Sequence, residues 1–549
     1  MRPSLALSFL FFLGACPAND TPAGTTCERD GDCAGGVCVD AGGTRVCTAA
    51  CSTDAECTAG WTCGDALCRC DAEPERCNDG DDDCDGLVDE GCETPPPALG
   101  CAGSLDCFSL SPSADQLDLL FVIDNSGSMA QEQNAFLREL PRVFRALTTG
   151  DVNADGTPEA HPVLDVRVGV VTTDMGTGGA TVPTCSESAF GDDGVLLARG
   201  NAARTGCATT QPSFFEFQQS DASEVAADLA CVAGMGTDGC GFEQQLEAAL
   251  KAVTPSTSAL RFEAGTVGHA DGANAGLFRA EDALGHTALA IVLLTEEEDC
   301  SALDSSVFDP SSTEFEGDLN LRCFRYGDPA LGVVHPVERF VDGLLATRRD
   351  PSLLAVGGIV GIPETTSPAP GTEADWDAIL AHPDMQEMPD PSMPSRLRPS
   401  CDRTDEAGDR SLALPPRRIV RVLEGLDLAG ANATVQSICR DDFGPAWNGL
   451  LSSIGDAVTS CFARTIPTTE GACTLVETLP PTARCSELAG RRFRERVTDL
   501  RGEVVEICEL SADAWTYVED ATSCPVARPN RVDIDGRVER AAYRLECAR

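Results

Sequence analysis

The sequence of 549 residues carries 88 acidic and 40 basic residues, a formal net charge of −48 at pH 7. Hydrophobic residues make up 42% of the chain, enough for buried cores, so the composition excludes a disordered protein and the length predicts several domains. The deficit of basic residues excludes nucleic acid and anionic membrane surfaces as partners, because both attract clustered Lys and Arg.

The N-terminal residues MRPSLALSFLFFLGAC are typical of a secretory signal. Arg2 precedes an apolar run, 5–13, that is too short to span a bilayer, which takes about 20 residues. The ending LGAC resembles a bacterial lipobox, which predicts a lipoprotein signal peptide over 1–15 and lipid attachment at Cys16. Pro17 in place of an acidic residue favours the outer membrane of the cell envelope, by resemblance to lipoprotein sorting rules. The alternative is an ordinary signal peptide in which the cysteine is incidental.

The 29 cysteines favour disulfides in an exported protein. Without Cys16 they divide into 14 from Cys27 to Cys107 and 14 from Cys185 to Cys547, and even numbers are expected when all of them pair. Zinc ligation is the alternative, but none of the five histidines lies at metal-ligand spacing from another.

Two short segments follow the tether predicted for 16–26. The Cys-rich module 27–70 has almost no aliphatic residues and must be held by its cross-links. The segment 71–93 contains RCNDGDDDCDGLVDEGC, which resembles Asp-rich, Cys-bracketed repeats of secreted bacterial proteins. A tight loop can turn several carboxylates toward one ion, so we expect Ca²⁺ at Asp81, Asp83, Asp85 and Asp89. A solvated acidic linker is the alternative, and 94–115 is predicted to be a linker.

From 116 onward, apolar runs alternate with helical periods. Strands are predicted at 117–123, 166–171, 289–294 and 353–360, and helices near 130–147, 241–253 and 445–459. This alternation predicts an α/β domain over 116–465, with a central, mainly parallel sheet and helices on both faces. The domain is longer than these strands and helices require, and we assign the additional residues to loops at 176–230 and 364–412. Pro141 is expected to kink or end the first helix. The segment 466–549 is predicted to be a small Cys-rich, β-rich domain.

The stretch FVIDNSGSM ends the first of these strands with oxygen-bearing side chains. Asp124, Ser126 and Ser128 lie at i, i+2 and i+4, where the chain turns toward the next helix. In an open α/β sheet, ligands bind beyond the carboxyl ends of the strands. A carboxylate and two hydroxyls can line one side of a hard cation, so the stretch predicts a divalent metal site. The alternative is that these residues cap the following helix.

This D-x-S-x-S pattern resembles the metal-ion-dependent adhesion site (MIDAS) of von Willebrand factor A domains, which have a Rossmann-like fold. The resemblance covers about 116–465 and implies Mg²⁺, Mn²⁺ or Ca²⁺ as the ion. It also implies a threonine from a second loop, which Thr237 in MGTDGCGFEQQLEAAL matches, and an acid after a later strand. The family has Leu-Thr-Asp at that strand end, whereas this chain reads LLTEEEDC, so Glu296 takes the position. The alternatives for this role are Glu297, Glu298 and Asp299.

A second loop, DVNADGTPEAHP, repeats the opening of a calcium-binding loop. Asp151, Asn153 and Asp155 have the D-x-N-x-D-G spacing, but Pro162 stands where position 12 requires Glu. The sequence leaves a Ca²⁺ site and an Asx-type turn open here.

Three functions compete for these features. In the first, the resemblance implies a lipid-anchored envelope protein whose metal site takes an Asp or Glu side chain of a protein partner. In the second, the protein is an envelope spacer that binds calcium and carries a vestigial metal site. In the third, the ion activates water in a hydrolase. No histidine lies close in sequence to a predicted ligand, and HExxH and GxSxG motifs are absent, so we expect no enzyme activity.

Overall fold

The computed structural model describes the chain over 37–41, 44–48, 62–64, 67–69, 105–110, 112–279, 286–404, 410–462, 465–467, 472–519, 524 and 528–548. The chain forms two compact units, Met1–Pro95 and Pro96–Arg549. The predicted lipidation site and the first predicted calcium site lie outside the described residues: Cys16, Asp81, Asp83, Asp85 and Asp89. In the part that is described, no helix is both long and apolar enough to cross a membrane.

The described residues of the first unit form antiparallel hairpins. Strands β1 (Val37–Ala41) and β2 (Thr44–Thr48) pair with each other, as do β3 (Thr62–Gly64) and β4 (Leu67–Arg69). One hairpin falls in each half of the predicted Cys-rich module 27–70.

The second unit is built on a six-stranded central sheet. Its order is β15-β10-β9-β6-β7-β8, and neighbouring strands are parallel except for β7 and β8. The prediction of a mainly parallel sheet is therefore confirmed. The strands of this unit, in chain order, are β5 (Leu105–Ser109), β6 (Gln116–Ile123), β7 (Asp165–Thr172), β8 (Phe214–Phe217), β9 (Thr287–Leu294), β10 (Leu354–Val360), β11 (Pro389–Asp390), β12 (Met393–Leu397), β13 (Cys401–Thr404), β14 (Arg410–Ala413), β15 (Asn432–Ser437), β16 (Cys473–Thr478), β17 (Arg491–Thr498), β18 (Val504–Leu510), β19 (Trp515–Glu519), β20 (Asn530–Ile534) and β21 (Ala542–Ala548).

Helices cover both faces of the central sheet, because its strands are apolar on both sides. In chain order they are α1 (Ala130–Thr149), α2 (Ala222–Ala233), α3 (Gln245–Val253), α4 (Arg322–Arg325), α5 (Val337–Leu345), α6 (Trp376–Ala381), α7 (Arg417–Leu428) and α8 (Gly444–Val458). Helices α1, α2 and α8 pack on one face, and α3, α5, α6 and α7 pack on the other.

Aromatic side chains hold α1 and α8 against the middle of the sheet. The Phe121 ring on β6 meets Phe136 of α1 and Trp447 of α8 edge-on, with ring centroids 5.1 and 5.9 Å apart. Helix α1 begins six residues beyond Asp124, so this packing fixes where the loop after β6 leaves the sheet.

The structure has more regular elements than the sequence pattern predicts. Strand β8 and most of helix α2 lie within the predicted loop 176–230, and α6, the hairpin β11–β12 and nearly all of the hairpin β13–β14 lie within 364–412. Strand β15 was also missed, because six residues are too few for a clear period. Helix α1 passes through Pro141 and ends at Gly150, which has a φ of 74°. The burial of its apolar face contributes more to stability than the one hydrogen bond that the proline removes.

A second, antiparallel sheet has the order β17-β18-β16-β21-β5. Four of its strands come from the segment 466–549, predicted to be β-rich. The fifth, β5, lies in the segment 94–115 predicted to be a linker, and it pairs along β21 at one edge of the sheet. Leu475, Tyr543 and Leu545 lie in the core beneath this sheet.

All 14 cysteines from Cys185 to Cys547 form disulfides, which confirms the prediction from their even number. The pairs are Cys185–Cys240, Cys207–Cys231, Cys300–Cys323, Cys401–Cys439, Cys461–Cys524, Cys473–Cys547 and Cys485–Cys508.

A buried ion-pair network lies near the amino end of β6. Asp118 is fully buried, and its Oδ1 atom accepts a hydrogen bond from Arg279 Nη1 at 2.6 Å. Its Oδ2 atom accepts from the Arg279 backbone at 2.7 Å and from Arg348 Nη2 at 3.4 Å. Burial raises the pKa of Asp118, and the two guanidinium groups oppose that shift.

We expect Asp118→Asn to lower the free energy of unfolding by about 3–5 kcal/mol, because it removes the countercharge of buried guanidinium groups. Urea unfolding followed by tryptophan fluorescence measures this loss. The matched control is Glu216→Gln, which breaks the exposed Arg167–Glu216 pair, at 2.8 Å, on neighbouring strands. That loss is expected to be about 0–1 kcal/mol, and equal losses in the two variants would contradict the prediction.

Candidate metal centre

The carboxyl ends of the parallel strands meet at one edge of the central sheet. Asp124 follows β6, which lies between β7 and β9, and its backbone N–H donates to Leu294 O at 2.9 Å. Glu296 lies in the loop after β9, beyond that same Leu294. Two of the predicted metal-site residues therefore occupy neighbouring loops, where a binding crevice is expected.

The Asp124 carboxylate is fully buried and held by two hydrogen bonds. Its Oδ1 atom accepts from Ser126 N at 2.8 Å, and its Oδ2 atom accepts from Thr295 Oγ1 at 2.7 Å. Thr295 Oγ1 in turn accepts from Gln245 Nε2 at 2.9 Å. Burial raises the pKa of Asp124, and the hydrogen bonds oppose that shift. Thr295 was not a predicted site residue, although it precedes the acids of LLTEEEDC.

The loop that carries Thr237 is joined to the loop after β6. The Gln133 side chain on α1 donates from Nε2 to Asp124 O and to Gly236 O, both at 2.9 Å. Thr237, the next residue along, is half-buried. The Gln133 amide thus links two loops that carry predicted ligands, the loop after β6 and the loop of Thr237.

The same two loops approach each other closely at Gly239. Its backbone N–H donates to Asn125 O at 2.9 Å, and a Cβ atom here would lie 2.2 Å from Asn125 Oδ1, so a larger residue would displace the Asn125 side chain. Asp174 Oδ2 accepts a hydrogen bond from Cys240 N at 3.2 Å. The disulfide Cys185–Cys240 also restrains the loop that carries Thr237 and Gly239.

The four acids of LLTEEEDC divide into two pairs. Glu298 accepts hydrogen bonds from the backbone N–H groups of Arg417 and Arg418 at the start of α7. Asp299 accepts from Leu246 N at the start of α3, at 3.0 Å, and pairs with Arg418 Nε at 3.1 Å. Both carboxylates therefore stabilise helix N-termini. The first two acids of the run line the crevice, and Glu298 also borders it.

Glu296 and Glu297 both line the crevice. Burial raises the pKa of Glu296 to about 9, with Glu297 and Asp124 adding to the shift and a hydrogen bond with Ser128 opposing it. Burial and the neighbouring Asp124 raise the pKa of Glu297 to about 7, and Arg396 opposes this shift. Protons therefore compete with any cation that binds here.

Glu243, two residues before α3, is a further carboxylate at this site. Its side chain is 5% exposed, and its Oε1 atom makes no hydrogen bond. Burial raises its pKa well above the ordinary value, and Asp124, Glu297 and Glu296 add to the shift. The sequence did not single it out, because an acid just before a helix is already favoured by the helix dipole.

These oxygen atoms fit a hard divalent cation. Ser126 Oγ and Asn125 Oδ1 are buried and make no hydrogen bond of normal geometry, although Ser126 lowers the pKa of Asp124. Buried oxygen atoms without donors are costly unless a ligand satisfies them. Mg²⁺, Mn²⁺ and Ca²⁺ prefer carboxylate and hydroxyl oxygens, which Asp124, Ser126, Ser128 and Glu296 supply.

A cavity of about 570 Å³ opens beside these residues. Much of its wall comes from the long loop after β9 and from the long loop after β10, which carries the hairpin β11–β12. Its polar lining includes Ser128, Glu243, Glu296, Glu297 and Arg396. Its apolar lining includes Phe324, Met393, Leu397 and Leu412.

The second predicted calcium loop brings its acidic groups together. The carboxylates of Asp151, Asp155 and Glu159 lie within 4.8 Å of one another, and no other trio of His, Cys, Asp or Glu does so within the described ranges. Asn153 Nδ2 donates to Glu159 Oε1 at 2.8 Å, and Gly156 N donates to Asp151 Oδ2 at 3.0 Å. Glu159 supplies an acid that position 12 lacks. The calcium site stays a prediction, because an Asx-type turn forms the same bonds to the backbone.

Comparisons with known proteins show no family for this chain. No family model matches it, and no curated protein matches it. One solved structure with some likeness is the human COPII-coat protein Sec24c, with a TM-score of 0.24 and 9% sequence identity. The match covers 81% of this chain and 46% of that chain, so this chain spans less than half of its length.

We expect the metal-free protein to lose stability as the pH rises from about 4.5 to about 9. Glu296 and Glu297 have pKa values of about 9 and about 7 in the folded chain, above the ordinary 4.5, so the folded state keeps protons that the unfolded state releases. The loss is at most about 1.4 kcal/mol per pH unit for each retained proton. Urea unfolding in EDTA at several pH values measures it.

Glu296→Gln cannot titrate and should make this pH dependence shallower. The matched control is Glu314→Gln at an exposed position, which should leave the dependence unchanged. A slope that is the same in wild type and Glu296→Gln would show that this carboxyl does not retain its proton on folding.

Proposed function

We propose that the chain is a cell-envelope lipoprotein that binds a protein partner through a metal-ion-dependent adhesion site in a von Willebrand factor A domain. The observation that carries the proposal is the meeting of three loops, those after β6 and β9 and the Thr237 loop, at the carboxyl end of the sheet. Asp124, Ser128 and Glu296 interact there, near the buried Ser126 hydroxyl, which makes no hydrogen bond of normal geometry. A simple helix cap would not require three loops to converge.

Asp124, Ser126, Ser128, Thr237 and Glu296 would hold the ion, which is Mg²⁺ or, in its place, Mn²⁺ or Ca²⁺. The ion supplies a positive charge that pairs with an Asp or Glu side chain of the partner. Without it an acidic partner would be repelled, because the chain has a net charge of −48. Recognition is therefore expected to depend on the metal and to be lost on chelation.

The flanking segments support a place in the cell envelope. Lipidation at Cys16 would anchor the chain to the outer membrane, and several acyl chains hold firmly because each buried methylene contributes about 0.8 kcal/mol. The disulfides from Cys185 to Cys547 are typical of oxidising compartments. The Asp-rich segment 71–93 and the Asp151 loop are proposed to bind Ca²⁺ there.

Calorimetric titration of the full chain with Mn²⁺, Mg²⁺ and Ca²⁺ tests the proposal. We expect one saturable site for Mn²⁺ or Mg²⁺ that is lost in Asp124→Ala and in Ser128→Ala, since each variant removes an oxygen ligand. The matched control is Asp228→Ala at an exposed position on α2, which should keep the site. Ca²⁺ binding by the Asp-rich loops should be unchanged in all three variants.

Equal Mn²⁺ binding by wild type and Asp124→Ala would contradict the proposal. Absence of a Mn²⁺ or Mg²⁺ site in the wild type would also contradict it. An envelope spacer with a vestigial metal site would then describe the protein better.

We also expect Thr295→Val to weaken Mn²⁺ binding about 10–100-fold, the usual effect of removing a group that orients a metal ligand. Valine keeps the shape of threonine but cannot donate to Asp124 Oδ2. The matched control is Thr372→Val, which removes an exposed hydroxyl that donates to Ala369 O. Calorimetry with Mn²⁺ measures both variants, and an unchanged affinity in Thr295→Val would refute this positioning role.

A further inference from the structure

Lys251 on α3 has a fully buried amine that the proposed metal site does not use. It is the single lysine among the 40 basic residues of the chain, all others being arginine. Its Nζ atom donates to Asp193 Oδ1 at 2.5 Å and to Thr266 Oγ1 at 2.8 Å. Arginine is the usual residue of buried ion pairs, so a lysine at this one position indicates a role for the amine itself.

The backbone around Asp193 holds its carboxyl group against α3. Asp193 has a φ of 57°, in the left-handed region that costs free energy in residues other than glycine. Gly194 follows with a φ of 66°, and a Cβ atom there would lie 2.9 Å from Ala248 O. The buried Asn274 side chain donates from Nδ2 to Gly194 O at 2.9 Å and to Ala252 O at 3.2 Å. The segment and the helix are thereby held together, with Nζ beside the carboxyl group.

A histidine contacts the other oxygen of this carboxyl group. His269 Nε2 lies 3.0 Å from Asp193 Oδ2, and the His269 backbone N–H donates to Lys251 O at 3.0 Å. The rings of Phe190 and Phe262 lie with their centroids 5.9 and 5.5 Å from Nζ. Burial acts to raise the pKa of Asp193, but the hydrogen bonds from His269 and Lys251 lower it below its ordinary value. The resting pair is therefore an ion pair, with a proton carrier beside it.

We propose that Lys251 and Asp193 join in an intramolecular amide bond, with His269 relaying a proton. Nζ gives up one proton, and its freed lone pair forms a bond to Asp193 Cγ. The bond from Cγ to one carboxyl oxygen breaks, and that oxygen leaves as water with two of the three ammonium protons. His269, beside Oδ2, carries one of these protons to the departing oxygen. The third proton stays on the amide nitrogen, so ammonium and carboxylate give amide and water without another reactant.

Three properties of this place favour the amide over the ion pair. The two groups are held in contact, and groups held in this way react as if at an effective concentration of about 10⁵–10⁸ M. The neutral amide avoids the desolvation cost of a buried ammonium group. The Asp193 side chain is 22% exposed, which leaves a path for the water that departs.

The bond would join the segment after β7 covalently to α3. The disulfide Cys185–Cys240 spans part of the same stretch of chain, but a reductant opens a disulfide and leaves an amide intact. This part of the fold would therefore stay cross-linked in reducing conditions. The bond is independent of the proposed metal site, because none of its three residues is a predicted ligand.

Tryptic digestion of the full chain tests the bond, because trypsin cleaves after a free lysine and not after an acylated one. The chain is denatured, reduced, alkylated and digested, and its peptides are identified by mass spectrometry. With the bond, the peptides 168–199 and 205–261 stay joined, and their mass is the sum of both less one water. We expect most of the wild-type protein to give this joined species. Cleavage after Lys251 would instead give 205–251 and 252–261.

Two variants connect the joined species with the proposed chemistry. Lys251→Arg keeps the positive charge but lacks the amine, so the joined species should be absent. His269→Gln keeps a hydrogen-bond donor but cannot relay a proton. It should lower the joined fraction about tenfold or more, because a general acid–base group contributes about 10²–10⁴-fold in rate. The matched control is His161→Gln, which alters the exposed His161–Asp115 pair, at 3.5 Å, and should keep the joined fraction.

Complete cleavage after Lys251 in the wild-type protein would overturn the proposal. Loss of water from 168–199 alone would also overturn it, because Asp193 precedes Gly194 and an Asp-Gly pair loses water when it closes to a succinimide. Hydroxylamine distinguishes the two products, since it cleaves the chain at a succinimide and leaves the amide intact. A joined fraction that is the same in wild type and His269→Gln would overturn the role of His269.

Discussion

The burial of the Asp124 carboxylate at the end of the central strand is the constraint on which the site depends. Strand β6 is covered on both faces, so the residue that follows it enters the protein interior. An ionised carboxylate is costly there unless donors or a cation compensate for lost water. Ser126 N and Thr295 Oγ1 supply donors, and Gln133 holds the neighbouring loop in place. The result is an oxygen-rich site in which the protein compensates the burial of the Asp124 carboxylate only in part.

A carboxylate is buried near each end of strand β6, and its charge is compensated differently at the two ends. Near its amino end, the carboxylate of Asp118 meets the guanidinium groups of Arg279 and Arg348, so its charge is balanced inside the protein. At its carboxyl end, Asp124 meets further carboxylates, among them Glu243. A buried charge with a fixed counterion stabilises one arrangement of the chain. A buried charge without one is balanced only by a proton or by a bound cation, and this difference distinguishes the two ends of strand β6.

The loops around the site share a small apolar core, which includes Phe242, Phe308 and Phe315, and disulfides restrain them further. A disulfide restrains an irregular segment mainly by limiting its unfolded states, and each contributes about 2–4 kcal/mol. One of these disulfides follows the Thr237 loop, one lies in the wall of the cavity and one joins strand β13 to the segment after β15: Cys185–Cys240, Cys300–Cys323 and Cys401–Cys439. These disulfides therefore restrain the loops around the site as well as contributing to the stability of the fold.

Sequence patterns alone predict the parallel α/β architecture, the presence of disulfides among the later cysteines and the position of Asp124 at a strand end. These features follow from local periods and counts, which need no knowledge of distant contacts. The folded structure shows that Thr295 holds the Asp124 carboxylate, that Glu243 joins the same group, and that the run of four acids divides between two helix starts and the crevice. It also decided that β5 completes a sheet formed far along the chain. Each of these depends on residues that are distant in sequence, and no local pattern specifies which acid faces a helix and which faces a cavity.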